Sequence, residues 1–317
     1  MTLEREPPDR AAELRTGADR VKRVLRPLLA VVAFAFVVWA FRDLALRWES
    51  GRVHIDWFWV ACSLVPLAVG GVVLAYSWTG LLSRMAGRPV PLGPGLALHT
   101  ESQMARYLPG KVGIPMVRMA GAKSLGVAPA TAGSSVLVEL MSFVAVGGLV
   151  GSALLAWQSK LLPGLLQSFG RVAPIAVVAL SLLLLALMVL DRQRYPGRVL
   201  RAMALEGEGP LVPVGLPFLH VLYWLTWAAH GYLVARAVGS GVEPALAGSG
   251  LFVVAPIIGF LALVAPAGAG VREAVLSMGL VPALGAAPAL GALIVSRGAT
   301  LIADVVLWVL LRPLRAR

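Results

Sequence analysis

The sequence contains few charged residues for its length. Only 14% of its 317 residues are Asp, Glu, Lys or Arg, whereas a soluble domain carries about 25%. Hydrophobic residues make up 58% of the chain, and the mean hydropathy is +0.82. This balance excludes an ordinary soluble globule. It predicts an all-α polytopic membrane protein, in which lipid is the main solvent.

Cysteine and histidine are also scarce. Cys62 is the only cysteine, which excludes an intramolecular disulfide and a cysteine-cluster metal site. The histidines are His54, His99, His220 and His230, and no HxxH or HExxH pattern links them. We therefore expect no metal and no other cofactor. A GxxxxGK[ST] motif is missing as well, which argues against direct use of ATP.

The net charge is +12. The distribution of the cations along the chain favours a membrane protein over a nucleic-acid-binding protein. The cations lie in short segments between apolar runs, as the positive-inside rule expects. Residues 1–23 are polar and of mixed charge, which predicts a disordered cytosolic tail and not a signal peptide. Residues 312–317 predict a short basic cytosolic tail.

Apolar segments of about 20 residues mark the predicted membrane crossings. Six segments qualify as full crossings: 24–47, 57–80, 133–157, 173–190, 213–239 and 287–311. Two further apolar regions, 93–123 and 244–284, are interrupted by Pro/Gly turns with basic residues nearby. The sequence thus predicts one transmembrane domain over 24–311, with about six full crossings and two re-entrant hairpins, or eight membrane segments.

The distribution of cations sets the predicted orientation. The segment 82–132 carries six cations and one acidic residue, and 191–212 carries four arginines, so both are predicted to be cytoplasmic. Both termini are then cytoplasmic, and the expected location is the plasma membrane. A full crossing at 93–114 is disfavoured, because it would place the arginines of 191–212 outside. Separate crossings at 249–265 and 273–286 keep the tail inside and remain open.

The order of segments predicts an internal repeat. Each half, 24–157 and 173–311, reads as two helices, a broken hairpin and a helix. The hairpins carry "LPGKVG…VR" and "APAGAGVRE". Each half contains three full crossings. Because this number is odd, the second half is predicted to be inverted in the membrane. Inverted repeats with broken helices typically place the ligand site at the repeat interface.

The hairpin turns predict an anion site. Irregular backbone at membrane depth is tolerated where protein or a water-filled cavity covers it, and helix ends there attract anions. The predicted breaks are Pro109, Gly110, Pro266, Gly268 and Gly270. The charged residues flanking them, which we interpret as a phosphate-ready cavity, are Arg106, Lys111, Arg118, Arg272 and Glu273.

Three further charges interrupt predicted transmembrane helices. Charges inside the bilayer cost at least ~2.5–3.5 kcal/mol, so Glu139, Arg297 and Asp304 are candidate functional residues. Arg297, Thr300 and Asp304 share one helical face. We expect an ion pair between Glu139 and Arg297, related by the repeat. The alternative is that these charges only tie helices together.

Two stretches resemble a known family. "ARYLPGKVGIPMVRMAGAKSLGV" and "LVAPAGAGVREAVL…RGATLIADVVLWVL" are similar to the membrane domain of the lysylphosphatidylglycerol synthase/flippase proteins, over roughly 24–311. The resemblance implies lipid translocation between leaflets. Aminoacyl transfer is not implied, because no soluble synthase domain follows. The matching residues are Arg106, Pro109, Gly110, Lys111, Arg118, Pro266, Gly268, Gly270, Arg272, Glu273, Arg297 and Asp304.

The expected function is therefore that of a flippase or scramblase for an anionic or phosphate-headed phospholipid, glycolipid or polyprenyl-linked lipid. We expect transport and no catalysis. The alternatives are a secondary transporter of a small anion, an intramembrane lipid-modifying enzyme, and a scaffold subunit. The expected partners are a membrane lipid and, for a scaffold, a lipid-biosynthesis enzyme.

Overall fold

The computed structural model describes residues 54–107, 112–158, 172–189, 215–261 and 270–316, and every regular element in them is helical. The all-α prediction is therefore confirmed. The α-helices are α1 Trp57–Met85, α2 Leu92–Met104, α3 Gly113–Gly121, α4 Pro129–Trp157, α5 Val172–Val189, α6 Gly215–Ala237, α7 Val242–Ser249, α8 Leu251–Leu261, α9 Val271–Leu284 and α10 Ala286–Leu311. Short 3-10 turns cover Ala105–Tyr107, Ala122–Leu125 and Arg312–Ala316.

The helix ends follow from local sequence. Asp56 caps α1, because its Oδ1 accepts a hydrogen bond of 2.9 Å from the Phe58 N–H. Pro129 opens α4, where its missing N–H leaves no hydrogen bond unmade. Gly285 separates α9 from α10 with a φ of +87°, a conformation that favours glycine.

Five of the six predicted full crossings fall on helices, namely α1, α4, α5, α6 and α10. The first, 24–47, lies outside the described residues. By length and composition, four helical stretches in the described part can cross a membrane: Trp57–Met85, Pro129–Trp157, Val242–Leu261 and Ala286–Arg315. The third comprises α7 and α8, within the predicted second hairpin. Whether 244–284 is a hairpin or two crossings stays a prediction.

Helices α1 and α6 pack antiparallel. The Asp56 N–H, just before α1, donates to the Ala237 carbonyl at the end of α6 over 2.8 Å. At their crossing, a Cβ on Gly70 would lie 2.3 Å from Thr226 Oγ1. Such close approach through small residues is how helices associate in membranes, where the hydrophobic effect drives little.

Two further sets of contacts relate the two parts of the chain reciprocally. Helix α4 packs against α6 and α8, and α10 packs against α1 and α2. Buried apolar residues fill the interior: Trp78 and Leu98 lie in one cluster with Ala132 of α4, and Trp224 lies in another with Val146 of α4. Helix α2 packs against α10, and residues at its C-terminal end line a common cavity with residues of α6 and α10, which is where the polar side chains converge.

Candidate functional site

Arg118 on α3 is the centre of a first buried polar cluster. Its Nη1 donates to Glu139 Oε2 on α4, and its Nε donates to Ser102 Oγ on α2 over 3.0 Å. Its guanidinium lies 4.4 Å from the ring centroid of Trp78 on α1. Because the whole side chain is buried, each contact replaces water around the charge. One arginine thus connects four helices.

His99 extends this cluster toward a cavity. Its Nε2 lies 3.4 Å from Glu139 Oε1 and 3.1 Å from Gln103 Nε2. Gln103 Oε1 in turn accepts a hydrogen bond from Arg106 Nη2. A continuous polar chain therefore runs from Arg106 to the buried Arg118–Glu139 ion pair.

Arg272 on α9 is the centre of a second cluster. Its Nη2 donates to Ser296 Oγ over 2.6 Å, and its guanidinium lies 5.3 Å from the Trp227 ring. The Ser63 carbonyl can only accept, so His230 Nδ1 donates to it over 3.1 Å. His230 Nε2 then accepts from the Ser296 hydroxyl over 2.9 Å. This chain of bonds holds Ser296 oriented to accept from Arg272.

Arg272 differs from Arg118 in its missing counter-charge. Only 4% of Arg272 is exposed, and its Nε is buried without a hydrogen-bond partner. Among the described residues, no carboxylate lies within ion-pair distance of it. A buried guanidinium with a spare donor and no acidic partner is suited to receive an anion.

A small cavity lies between the two clusters. Asp304 on α10 accepts from Tyr107 Oη over 2.8 Å, and its Oδ2 lies 3.6 Å from Arg106 Nη1. The volume is about 30 Å³, room for about two waters. Its lining includes His99, Thr100, Gln103, Arg106, Tyr223, Trp227, Thr300 and Asp304.

The ion pair predicted between Glu139 and Arg297 is wrong. Glu139 pairs with Arg118, and Arg297 Nε lies 3.3 Å from Glu273 Oε1. Glu273 Oε2 also accepts from the Gly270 N–H over 2.8 Å, at the start of α9. Each carboxylate therefore pairs within its own part of the chain, because the hairpin arms pack against the helix that follows them.

The predicted site residues separate into three groups. Arg106 and Asp304 line the cavity. Three residues are buried and do not line the cavity, namely Arg118, Glu139 and Arg272. The last two form a partly exposed ion pair, Glu273 with Arg297. Gly270 adopts a φ of +83° directly before α9, as a break requires. The residues outside the described part are Lys111, Pro109, Gly110, Pro266 and Gly268.

Several residues of the site were missed from the sequence. His99 and Gln103 lie at i and i+4 on α2, and the predicted Arg106 follows at i+7 in the next turn, so a polar helical face was available as a signal. His230 is a polar residue inside a mostly apolar helix, but its partner Ser296 lies 66 residues away. No local pattern identifies such a pair. In the described residues, no group of three His, Cys, Asp or Glu side chains is placed to hold a metal.

The comparison with known families agrees with this architecture. A family model described as the lysylphosphatidylglycerol synthase TM region matches residues 24–307, which confirms the resemblance seen in the sequence. No curated protein matches the chain. With its apolar helices, the chain is an integral membrane protein with a lipid-related role. Because the match covers most of its length, the chain belongs to the family of lysylphosphatidylglycerol synthase TM regions.

Proposed function

We propose that this protein moves a lipid with an anionic or phosphate-bearing headgroup between the two leaflets. The observation that carries the proposal is Arg272, a buried cation with a spare donor and no carboxylate partner among the described residues. Trp227 separates it from the cavity, since the indole both stacks on Arg272 and lines that space. An arginine held this way binds phosphate oxygens through a planar fork of donors.

The second element of the proposal is an exchange of partners at Arg106. Its ion pair with Asp304 spans 3.6 Å, and its side chain is 26% exposed. A headgroup phosphate entering the cavity would compete with Asp304 for this guanidinium. At about 30 Å³ the cavity is too small for a lipid headgroup. The conformation described here is therefore a closed one, and transport requires the helices around the cavity to separate.

The proposed architecture has two inverted repeats. Trp78 on α1 and Trp227 on α6 each lie on the second predicted crossing of their half, and they stack on Arg118 and Arg272 from the second hairpin arms. The reciprocal packing of α4 and α10 supports the same relation. Helices α2 and α3 have 13 and 9 residues, fewer than the ~20 of a crossing, which supports a re-entrant first hairpin. We propose the plasma membrane as the location, with both termini cytoplasmic.

A liposome assay tests this function. Purified protein is reconstituted into phosphatidylcholine liposomes containing a trace of fluorescent phosphatidylglycerol, and dithionite is added to bleach the outer leaflet. We expect the protected inner-leaflet signal to decay faster with protein than in empty liposomes. The same vesicles are then tested for uptake of radiolabelled inorganic phosphate. Phosphate uptake without lipid movement would refute lipid translocation and favour a small-anion transporter.

We propose transport and not lipid modification for this site, because its arginines bind anionic groups and one of them, Arg106, can exchange Asp304 for a phosphate. Mass spectrometry of the liposome lipids after the assay distinguishes the two. An altered headgroup mass would contradict the proposal, whereas unchanged lipids in a new leaflet would support it. The proposed partner is the transported lipid itself.

A further inference from the structure

A surface groove lies where the C-terminal turn meets α2. Glu101 of α2, Trp308 of α10, and Arg312 and Arg315 of the turn Arg312–Ala316 line it, and its volume is about 430 Å³. Arg315 Nη1 donates to Glu101 Oε2, and the Arg312 guanidinium lies 5.5 Å from the Trp308 ring. We call it the C-terminal groove. Two guanidinium groups face one carboxylate there, so the groove is positively charged.

The C-terminal groove lies beside the cavity. Thr100 and Gln103, on either side of Glu101 in the chain, line the cavity. Leu307, which precedes Trp308, lines it too. The cavity and the groove therefore share helices α2 and α10. Trp308 of the groove lies four residues after Asp304 of the cavity, about one turn along α10.

The outer face of α10 next to the groove is apolar. Val309 and Leu310 are 54% and 65% exposed, and Val305 and Val306 are exposed as well. In a membrane protein such a face contacts acyl chains. A charged groove at the end of an apolar helix face fits a lipid, whose headgroup and tails need both surfaces. Trp308 has the amphipathic ring that membrane interfaces favour.

We propose that the C-terminal groove binds the phosphate of an anionic lipid headgroup and loads it toward the cavity. Arg312 and Arg315 donate to the phosphate oxygens, as guanidinium groups do in bidentate contacts. Without lipid, Glu101 accepts the hydrogen bond from Arg315. A bound phosphate replaces the Glu101 carboxylate as the acceptor. The loading role rests on the proposed function, whereas the binding of a phosphate headgroup can be measured without transport.

Binding and simple tethering predict opposite effects at Glu101. If the ion pair only fastens the C-terminal turn to α2, removing either partner has the same consequence. If Glu101 competes with a phosphate for Arg315, its removal strengthens binding while removal of Arg315 weakens it. The pair E101Q and R315Q therefore separates the two explanations.

The experiment measures binding of soluble dihexanoyl phosphatidate to the purified protein in detergent, by thermophoresis. Variants E101Q, R312Q and R315Q are compared with wild type, and R236Q is the control, since Arg236 lies 5.0 Å from the Trp59 ring, away from the groove. We expect R312Q and R315Q each to weaken binding about fivefold, the usual effect of one arginine near anionic headgroups. E101Q is expected to bind more tightly, and R236Q to match wild type.

Three outcomes would overturn the proposal. The first is that E101Q and R315Q change binding in the same direction, which indicates a tether. The second is that inorganic phosphate binds as tightly as dihexanoyl phosphatidate, which indicates a site for the free anion. The third is that R315Q leaves phosphatidate binding unchanged while R272Q still blocks translocation, so that the groove alone is wrong. Failure of the proposed function alone gives a different result: R272Q then moves the lipid at the wild-type rate, and phosphatidate binding still depends on Arg315.

Discussion

Replacing Glu139 by glutamine tests the buried ion pair at the centre of the first cluster. The variant keeps the volume of the side chain but removes the only carboxylate paired with Arg118 among the described residues. The two side chains are 9% and 1% exposed, so water cannot replace the lost charge. Removing one partner of such a pair typically costs ~3–5 kcal/mol. Ser102 and Trp78 remain as partners, which places the expected loss near the lower end of this range, about 3 kcal/mol.

The free energy of unfolding is measured in mixed micelles by titration with sodium dodecyl sulfate, with helix content as the signal. The matched control is E273Q, which removes a carboxylate charge from the pair with Arg297 but keeps an oxygen that can accept from the Gly270 N–H. Because those side chains are 31% and 24% exposed, we expect a loss of only ~0.2–1 kcal/mol.

A double variant completes the test. R118M/E139Q removes both charges and should be more stable than E139Q, because no uncompensated guanidinium remains buried. If E139Q loses no more stability than E273Q, the Arg118–Glu139 pair is not the buried interaction described here. A double variant less stable than E139Q would also contradict the reasoning.

Two further predictions concern the first hairpin. A Cβ on Gly113 would lie 2.4 Å from the Ala105 carbonyl oxygen, a backbone atom that cannot move aside; G113A should lower the free energy of unfolding by ~1–3 kcal/mol. G80A is its control, since a Cβ on Gly80 meets nothing within 4 Å, and it should be neutral or stabilising by up to ~1 kcal/mol. Y107F should lose the 2.8 Å hydrogen bond to Asp304, at ~1.5–3 kcal/mol for a charged acceptor. Equal unfolding midpoints of Y107F and wild type would refute that bond.

Helix positions were predictable because they depend on local properties. A run of about 20 apolar residues has few options other than a helix in lipid, since every backbone group must be satisfied internally. The bounds of α10, Ala286–Leu311, differ by one residue from the predicted 287–311 at the start. Charges inside apolar runs were equally visible, so Glu139, Arg297 and Asp304 were identified as candidate residues from the sequence.

The partners of those charges were not predictable in the same way. The repeat predicted Arg297 as the partner of Glu139, whereas the structure pairs Glu139 with Arg118, because sequence gives no distance between a hairpin arm and a helix. The choice depends on how α3 lies against α4, which packing decides. The Ser296 hydroxyl that accepts from Arg272, and the His230 imidazole bonded to that hydroxyl, were not predictable for a further reason. Ser296 and His230 are common residues, and only their convergence in space makes them a network.

The cations predicted around one cavity do not all line it in the structure. Of the predicted cations, Arg106 lines the cavity, whereas Arg118 is neutralised by Glu139 behind it. Among the described residues, no carboxylate lies within ion-pair distance of the buried Arg272. In the described part of the chain, the interpretation of an anion site thus rests on Arg272, with Arg106 at the cavity as a second contact.

The central claim, that Arg272 receives the headgroup during transport, is tested most directly by the rate of phosphatidylglycerol movement in liposomes containing R272Q. Arg236, which also stacks on a tryptophan, supplies the matched control R236Q. Losing a hydrogen bond to a charged group corresponds to ~1.5–3 kcal/mol. We therefore expect R272Q to slow lipid movement about tenfold or more, with R236Q close to wild type and R272K intermediate. Folded R272Q that moves the lipid at the wild-type rate would contradict the account.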